Sequence, residues 1–113
     1  MMTTSETINS VTIIHIQGRI DATTTHDFEK YVFKELEKTK GDAILDFKDV
    51  EYISSAGLRS LLLIAKKMSL SKQNIGLCQL NENISNVIRI TGFISLFKIF
   101  TDLKSALEQL SKN

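Results

Sequence analysis

Two neighbouring hydroxyls, Ser54 and Ser55, followed by Ala56 and Gly57, stand where a strand-like run gives way to a helical repeat. The segment Asp46 to Leu62, DFKDVEYISSAGLRSLL, reads as a short apolar strand, an acidic turn and a helix opened by these serines. A helix start suits phosphate chemistry. Its first N–H groups have no partners inside the helix, its dipole is positive there, and a glycine lets another molecule's backbone approach. A serine at that place also has a plain structural role as an N-cap, which contributes about 1 kcal/mol.

Other chemistries find little support. The histidines are His15 and His26, and no G-x-S-x-G turn surrounds Ser55, so a serine hydrolase lacks its base and its elbow. His15 reads as a paired structural histidine in a strand and His26 as an exposed helical one. Without a flanking carboxylate pattern they make a poor metal site, and no metal or cofactor is expected. Cys78 is the single cysteine, which excludes an internal disulfide; within the apolar run IGLCQL it reads as a buried, inert thiol. No GxxxxGK[ST] or GxGxxG loop supports tight nucleotide binding. The chain is expected not to be an enzyme.

The elements that must position the serines follow from periodicity. Thr3 to Ile8 and Val11 to Gly18 form a hairpin across the turn pair Asn9-Ser10. Asp21 and Thr23 to Thr25 offer N-caps for a helix with Phe28, Val32 and Leu36 at intervals of four, closed by Gly41. Ala43 to Phe47 is a short strand carrying Asp46. The next helix places Leu58, Leu61, Leu62, Ala65 and Met68 on one stripe, with Lys66, Lys67 and Lys72 at its carboxyl end. Asn74 to Leu80 is a strand; Asn81 caps a helix bearing Ile84, Val87 and Ile88, and Gly92 stops it. Lys98 to Phe100 is a last strand, and Asp102 caps a helix with Leu103, Ala106, Leu107 and Leu110.

The alternation implies α/β architecture: a mixed, mostly parallel sheet of about five strands with an N-terminal hairpin edge and four helices. In such sheets sites gather beyond the carboxyl ends of strands, where Asp21 and the Ser54-Ser55 turn both fall. With 113 residues and 42% hydrophobic composition, one domain spanning 1–113 and one core are expected. The 14 basic and 13 acidic residues are well mixed, which argues against nucleic acid and membrane surfaces as partners. No stretch is apolar and long enough to span a bilayer, and a soluble, cytoplasmic protein is expected.

With the serines placed after the third strand, the chain resembles the STAS domain family, in its bacterial anti-sigma factor antagonist branch. The resemblance rests on GRIDATT (Gly18 to Thr24), ILDFKDVEYISSAGLRSLL (Ile44 to Leu62) and TGFISLFKIFTD (Thr91 to Asp102). It implies phosphorylation of Ser55 by an anti-sigma factor that is itself a serine kinase, reversal by a serine phosphatase, and a monomer or weak dimer. Well-known members carry an aspartate directly before the acceptor, where this chain has Ser54, which makes Ser54 a second candidate. The partner-binding surface implied comprises Asp21, Thr23, Ser54, Ser55, Ala56, Gly57 and Arg59, with Asp46 and Asp49 adding repulsion beside a phosphate. Two alternatives use the same helix start: a STAS-type module sensing a nucleotide or another anion, and a scaffold in a signalling complex not tied to a sigma factor.

Overall fold

The computed structural model describes residues 1–110. Five strands lie side by side in chain order: β1 (Met2–Ile8), β2 (Val11–Ile20), β3 (Ala43–Ile53), β4 (Ile75–Cys78) and β5 (Lys98–Phe100). β1 runs antiparallel to β2, and every later neighbour is parallel. The β1–β2 turn is tight because Asn9 and Ser10 both adopt positive φ, 51° and 66°, the backbone twist that suits a two-residue hairpin.

Helices α1 (Thr25–Glu37), α2 (Ser55–Leu70), α3 (Glu82–Ile90) and α4 (Leu103–Leu110) connect and follow the parallel strands. Successive strand residues point to opposite faces, and the core divides accordingly. On one face Ile14, Ile16, Leu45, Phe47 and Leu77 meet Phe28, Val32 and Leu36 of α1, Leu61, Ile64 and Met68 of α2, and Ile84 and Ile88 of α3. On the other, Val11, Ile13, Ile44 and Cys78 meet Ala106 and Leu110 of α4. The predicted caps hold for the last two helices: Asn81 Oδ1 accepts the Ile84 N–H at 2.8 Å, and Asp102 Oδ1 the Ser105 N–H at 2.8 Å. Gly92 ends α3 at φ 80°.

Three expectations need correction. The acidic turn after Phe47 is strand: β3 continues through Lys48, Asp49, Glu51 and Tyr52 to Ile53. Its charges are tolerated because β4 stops at Cys78, opposite Asp46, so beyond that point β3 has a strand on one side only. Gly41 does not cap α1, which closes on Lys38 in right-handed geometry; Gly41 is needed because a Cβ there would run into the Ser10 carbonyl oxygen. The fourth strand is shorter than Asn74 to Leu80, ending where Gln79 turns left-handed at φ 62°.

Candidate functional site

Ser54 and Ser55 divide the work of the α2 start between them. Ser54 has extended backbone geometry, donates its N–H to the Ile20 carbonyl at 2.8 Å, and accepts the Gly57 N–H on its side-chain oxygen at 3.3 Å. Its own carbonyl takes the Leu58 N–H at 2.9 Å, the first bond of the helix. Ser54 is therefore the N-cap. Ser55 is the first helical residue and is exposed, and among the described residues its hydroxyl has no hydrogen-bond partner. Arg59, one turn further along, is exposed too.

The Ser54–Ile20 bond brings the β2–α1 loop to the same place. Asp21 follows Ile20 directly, and its Oδ1 accepts from the Thr23 hydroxyl at 2.7 Å and the Thr23 N–H at 3.0 Å. These bonds, the hydroxyl's first, hold the Asp21 carboxyl below the usual carboxylate range. Asp21 is thus an organiser of its own loop rather than the N-cap of α1; that position falls to Thr24, whose side chain makes no cap bond there. The Thr24 hydroxyl instead donates to the Arg19 carbonyl at 2.6 Å. Arg19 reaches Asp21 Oδ2 at 3.7 Å, and its guanidinium lies 4.4 Å from the centre of the Tyr52 ring.

A second junction, below the surface, fixes the first turn of α2 against α1. The Thr25 hydroxyl lies 2.6 Å from that of Ser60 and donates to the Ala56 carbonyl at 3.3 Å, while Ser60 donates to Glu29 Oε2 at 2.7 Å. Ser60 is 1% exposed. Thr25, one of the expected N-cap residues, thus serves as a bridge to α2, and Ser60 and Glu29 join it without having stood out in the sequence. The available signal was a serine on the same buried stripe as Leu61 and Ile64, which must find a polar partner.

Asp21, Thr23, Ser54, Ser55 and Ala56 are accordingly gathered at one end of the sheet, with Arg59 one turn along α2. Gly57 does not belong with them as a contact for another molecule. It is buried, and a Cβ on it would lie 2.7 Å from Ile53 Cγ1 and 2.8 Å from Ile20 Cγ2. Its smallness lets α2 settle on the ends of β2 and β3. Asp46 is likewise elsewhere, since the strand from Asp46 to Ile53 covers roughly 23 Å; the extension of β3 also carries Asp49 away from Ser55. Asp46 is 7% exposed and faces His15, a histidine that turns out to have a carboxylate at each ring nitrogen.

Among the described residues no group of three or more His, Cys, Asp or Glu side chains is arranged to hold a metal ion, and no helix is long and apolar enough to cross a membrane. Burial first, then the nearby Asp46 charge, pushes the Cys78 thiol up to about 12, as suits an inert core residue.

Comparison with known proteins agrees with this fold. The family model described as "STAS domain" matches residues 2–106. A protein of Bordetella bronchiseptica named as a candidate anti-sigma factor antagonist, BtrV, is 30% identical over 106 residues, covering 94% of this chain and 91% of its own. The crystal structure of a candidate anti-sigma factor antagonist from Thermotoga maritima superposes with a TM-score of 0.90 at 28% identity, over 96% of this chain and 93% of that one. An anti-sigma factor antagonist structure from Mycobacterium paratuberculosis shares the fold, with a TM-score of 0.86 at 22% identity over 96% and 92% of the two chains. From its sheet order, the serine-led start of its second helix and the match of nearly its whole length, this chain belongs to the STAS domain family.

Proposed function

We propose that this protein is an anti-sigma factor antagonist operated as a binary switch at Ser55. Unmodified, it binds an anti-sigma factor that is also a serine kinase, through the surface formed by Asp21, Thr23, Ser54, Ser55, Ala56 and Arg59, and so frees a sigma factor; phosphorylated on Ser55, it does not bind. A serine phosphatase resets the switch. The observation that carries this reading is the exposed Ser55 hydroxyl, left free because its neighbour takes the capping bond.

The energetics favour a switch of association rather than of folding. A phosphate adds about −1.5 to −2 charges. At a helix start that charge is favoured by about 0.3–1 kcal/mol, so the domain stays folded. Enclosed in an interface without a matching partner it costs several kcal/mol, and about 5.5 kcal/mol moves a two-state equilibrium from 99:1 to 1:99.

The test is to incubate the protein with ATP and candidate serine kinases from the same genome and to locate phosphate by mass spectrometry. Label on Ser55, lost in Ser55→Ala and kept in Ser54→Ala, supports the reading, and Ser55→Asp should abolish kinase binding with an unchanged circular dichroism spectrum. Phosphate absent from Ser55, or full binding by the aspartate variant, overturns it.

A further inference from the structure

On the sheet face that carries α4, three titratable side chains from three strands converge, remote from Ser55. His15 of β2 stands between Asp46 of β3, 2.7 Å from its Nδ1, and Glu6 of β1, 2.6 Å from its Nε2. Asp46 is the register partner of His15, and Glu6 sits diagonally, two residues along from the Thr4 opposite His15. Both ring nitrogens face carboxylate oxygens, so each must donate, and the ring in this arrangement is the imidazolium. The cluster borders a cavity of about 420 Å³ lined also by Met2 and Thr4 of β1, by Gln79, and by Leu103 of α4.

We propose that His15 is a proton-operated clasp: its imidazolium fastens the edge strand β1 to the sheet through Glu6, and loss of one ring proton loosens β1 beside this cavity.

The two carboxylates are not equivalent, and this decides which contact breaks. Asp46 is buried and fixed, accepting also the Lys48 N–H at 3.0 Å and lying 3.7 Å from the Cys78 sulfur. A neutral ring therefore keeps its proton on Nδ1, towards Asp46, because a buried acceptor is costly to abandon. The Nε2 lone pair then faces the Glu6 carboxylate and repels it. Glu6 has a half-exposed side chain and can turn to water.

Little else holds β1 on this face. Its residues are exposed or half-buried throughout, and Ile8 alone of them packs against the core on the α4 side. On the opposite face Ser5 bonds Glu35 and accepts from the Tyr31 hydroxyl at 3.2 Å. A strand with so few apolar contacts is a natural unit of local opening. Among the described residues, other charged or ionisable groups near the cluster are Lys48 and Asp49 of β3, which line the cavity, the Cys78 thiol of β4 beside Asp46, and Asp102 at the start of α4, whose charge acts on that thiol. The thiol, pushed up to about 12 chiefly by burial, stays protonated while the imidazole titrates.

Amide hydrogen exchange on the whole protein, corrected for intrinsic rates, tests the clasp from about pH 6 to about pH 9 while the His15 ring resonances are followed. Protection of the β1–β2 amides should fall several-fold, with a midpoint that tracks the His15 titration, while the β3–β4 amides hold. Glu6→Gln, a change at a half-exposed side chain that leaves the fold intact, should lower the His15 midpoint and abolish the step, and His15→Gln should give a flat profile. Protection unchanged through the His15 titration, a parallel loss in β3–β4, or a step that persists in Glu6→Gln overturns the proposal.

Discussion

The Ser54 side-chain oxygen accepts the Gly57 N–H at 3.3 Å, which gives two adjacent serines different duties. The capping serine is committed to its own backbone, and the next one, already within the helix, is not. Alanine substitution should separate them. Ser54→Ala is expected to destabilise the protein by about 1 kcal/mol and Ser55→Ala by less than about 0.5 kcal/mol, read by urea unfolding. Equal losses would mean that both hydroxyls are structural.

Arg59 lies four residues after Ser55 on the same exposed side of α2. Side chains at that spacing meet, and an acid placed N-terminal to a base is the favourable order. Phosphoserine installed at position 55 should therefore raise the melting temperature slightly, and the gain should shrink in Arg59→Ala. A gain untouched by Arg59→Ala would leave the helix dipole alone as the source of tolerance.

Gly57→Ala pits helix propensity against packing. Alanine is better than glycine in a helix by about 1 kcal/mol. Here its methyl would press on Ile53, Ile20 and the Ile20 carbonyl, all within 2.9 Å. Overpacking of this kind costs typically about 1–3 kcal/mol, so a net loss of stability is expected, together with weaker partner binding as the α2 start is displaced. Calorimetric unfolding and a binding titration on the same sample check both effects.

Stability should depend on pH from both sides. Burial draws the His15 pKa down, but the hydrogen bonds and charges of Glu6 and Asp46 outweigh it, and the folded value lies above the ordinary 6.5. Its contribution is complete below the unfolded value and is lost as pH rises through the folded one. The carboxyls of Asp21, Asp102 and Glu35 are lowered, chiefly by Thr23, Ser105 and Ser5 respectively, so their contributions hold above their unfolded values and disappear as pH falls through the folded ones. Urea midpoints should decline as pH rises above the ordinary imidazole value of 6.5 in the parent protein and not in His15→Gln, with a second decline in acid common to both.

The parts of the fold that were legible in the sequence are those governed by neighbours in the chain. Leu58, Leu61, Ala65 and Met68 of the α2 stripe, Ile84 and Ile88 of α3, the caps Asn81 and Asp102, and the stop at Gly92 all obey local rules of spacing and backbone freedom, whereas Leu62 and Val87 are only half-buried and Ile64 joins the α2 stripe instead. The juxtaposition of Asp21 with Ser55 was legible too, because the carboxyl ends of adjacent parallel strands share one edge. What escaped depends on partners distant in sequence. Nothing local says that Asp46 will face His15, that Gly57 will press on Ile20, or that Ser60 will find Glu29 and Thr25 on another helix. The length of β3 escaped for a related reason: its charged residues look like a turn until one knows that no strand lies beyond Cys78 to bury them.

That uncovered stretch of β3 has a further consequence. A bare strand margin invites pairing with another molecule, which leads to unwanted clumping. Here Lys48, Asp49 and Glu51 set charges along it, and the Asn81 amide donates to the Val50 and Glu51 carbonyls, each at 3.3 Å, occupying the acceptors a foreign strand would need. One asparagine thus starts α3 and seals the margin at the same time, and the ladder stays closed to strangers close to the proposed docking surface.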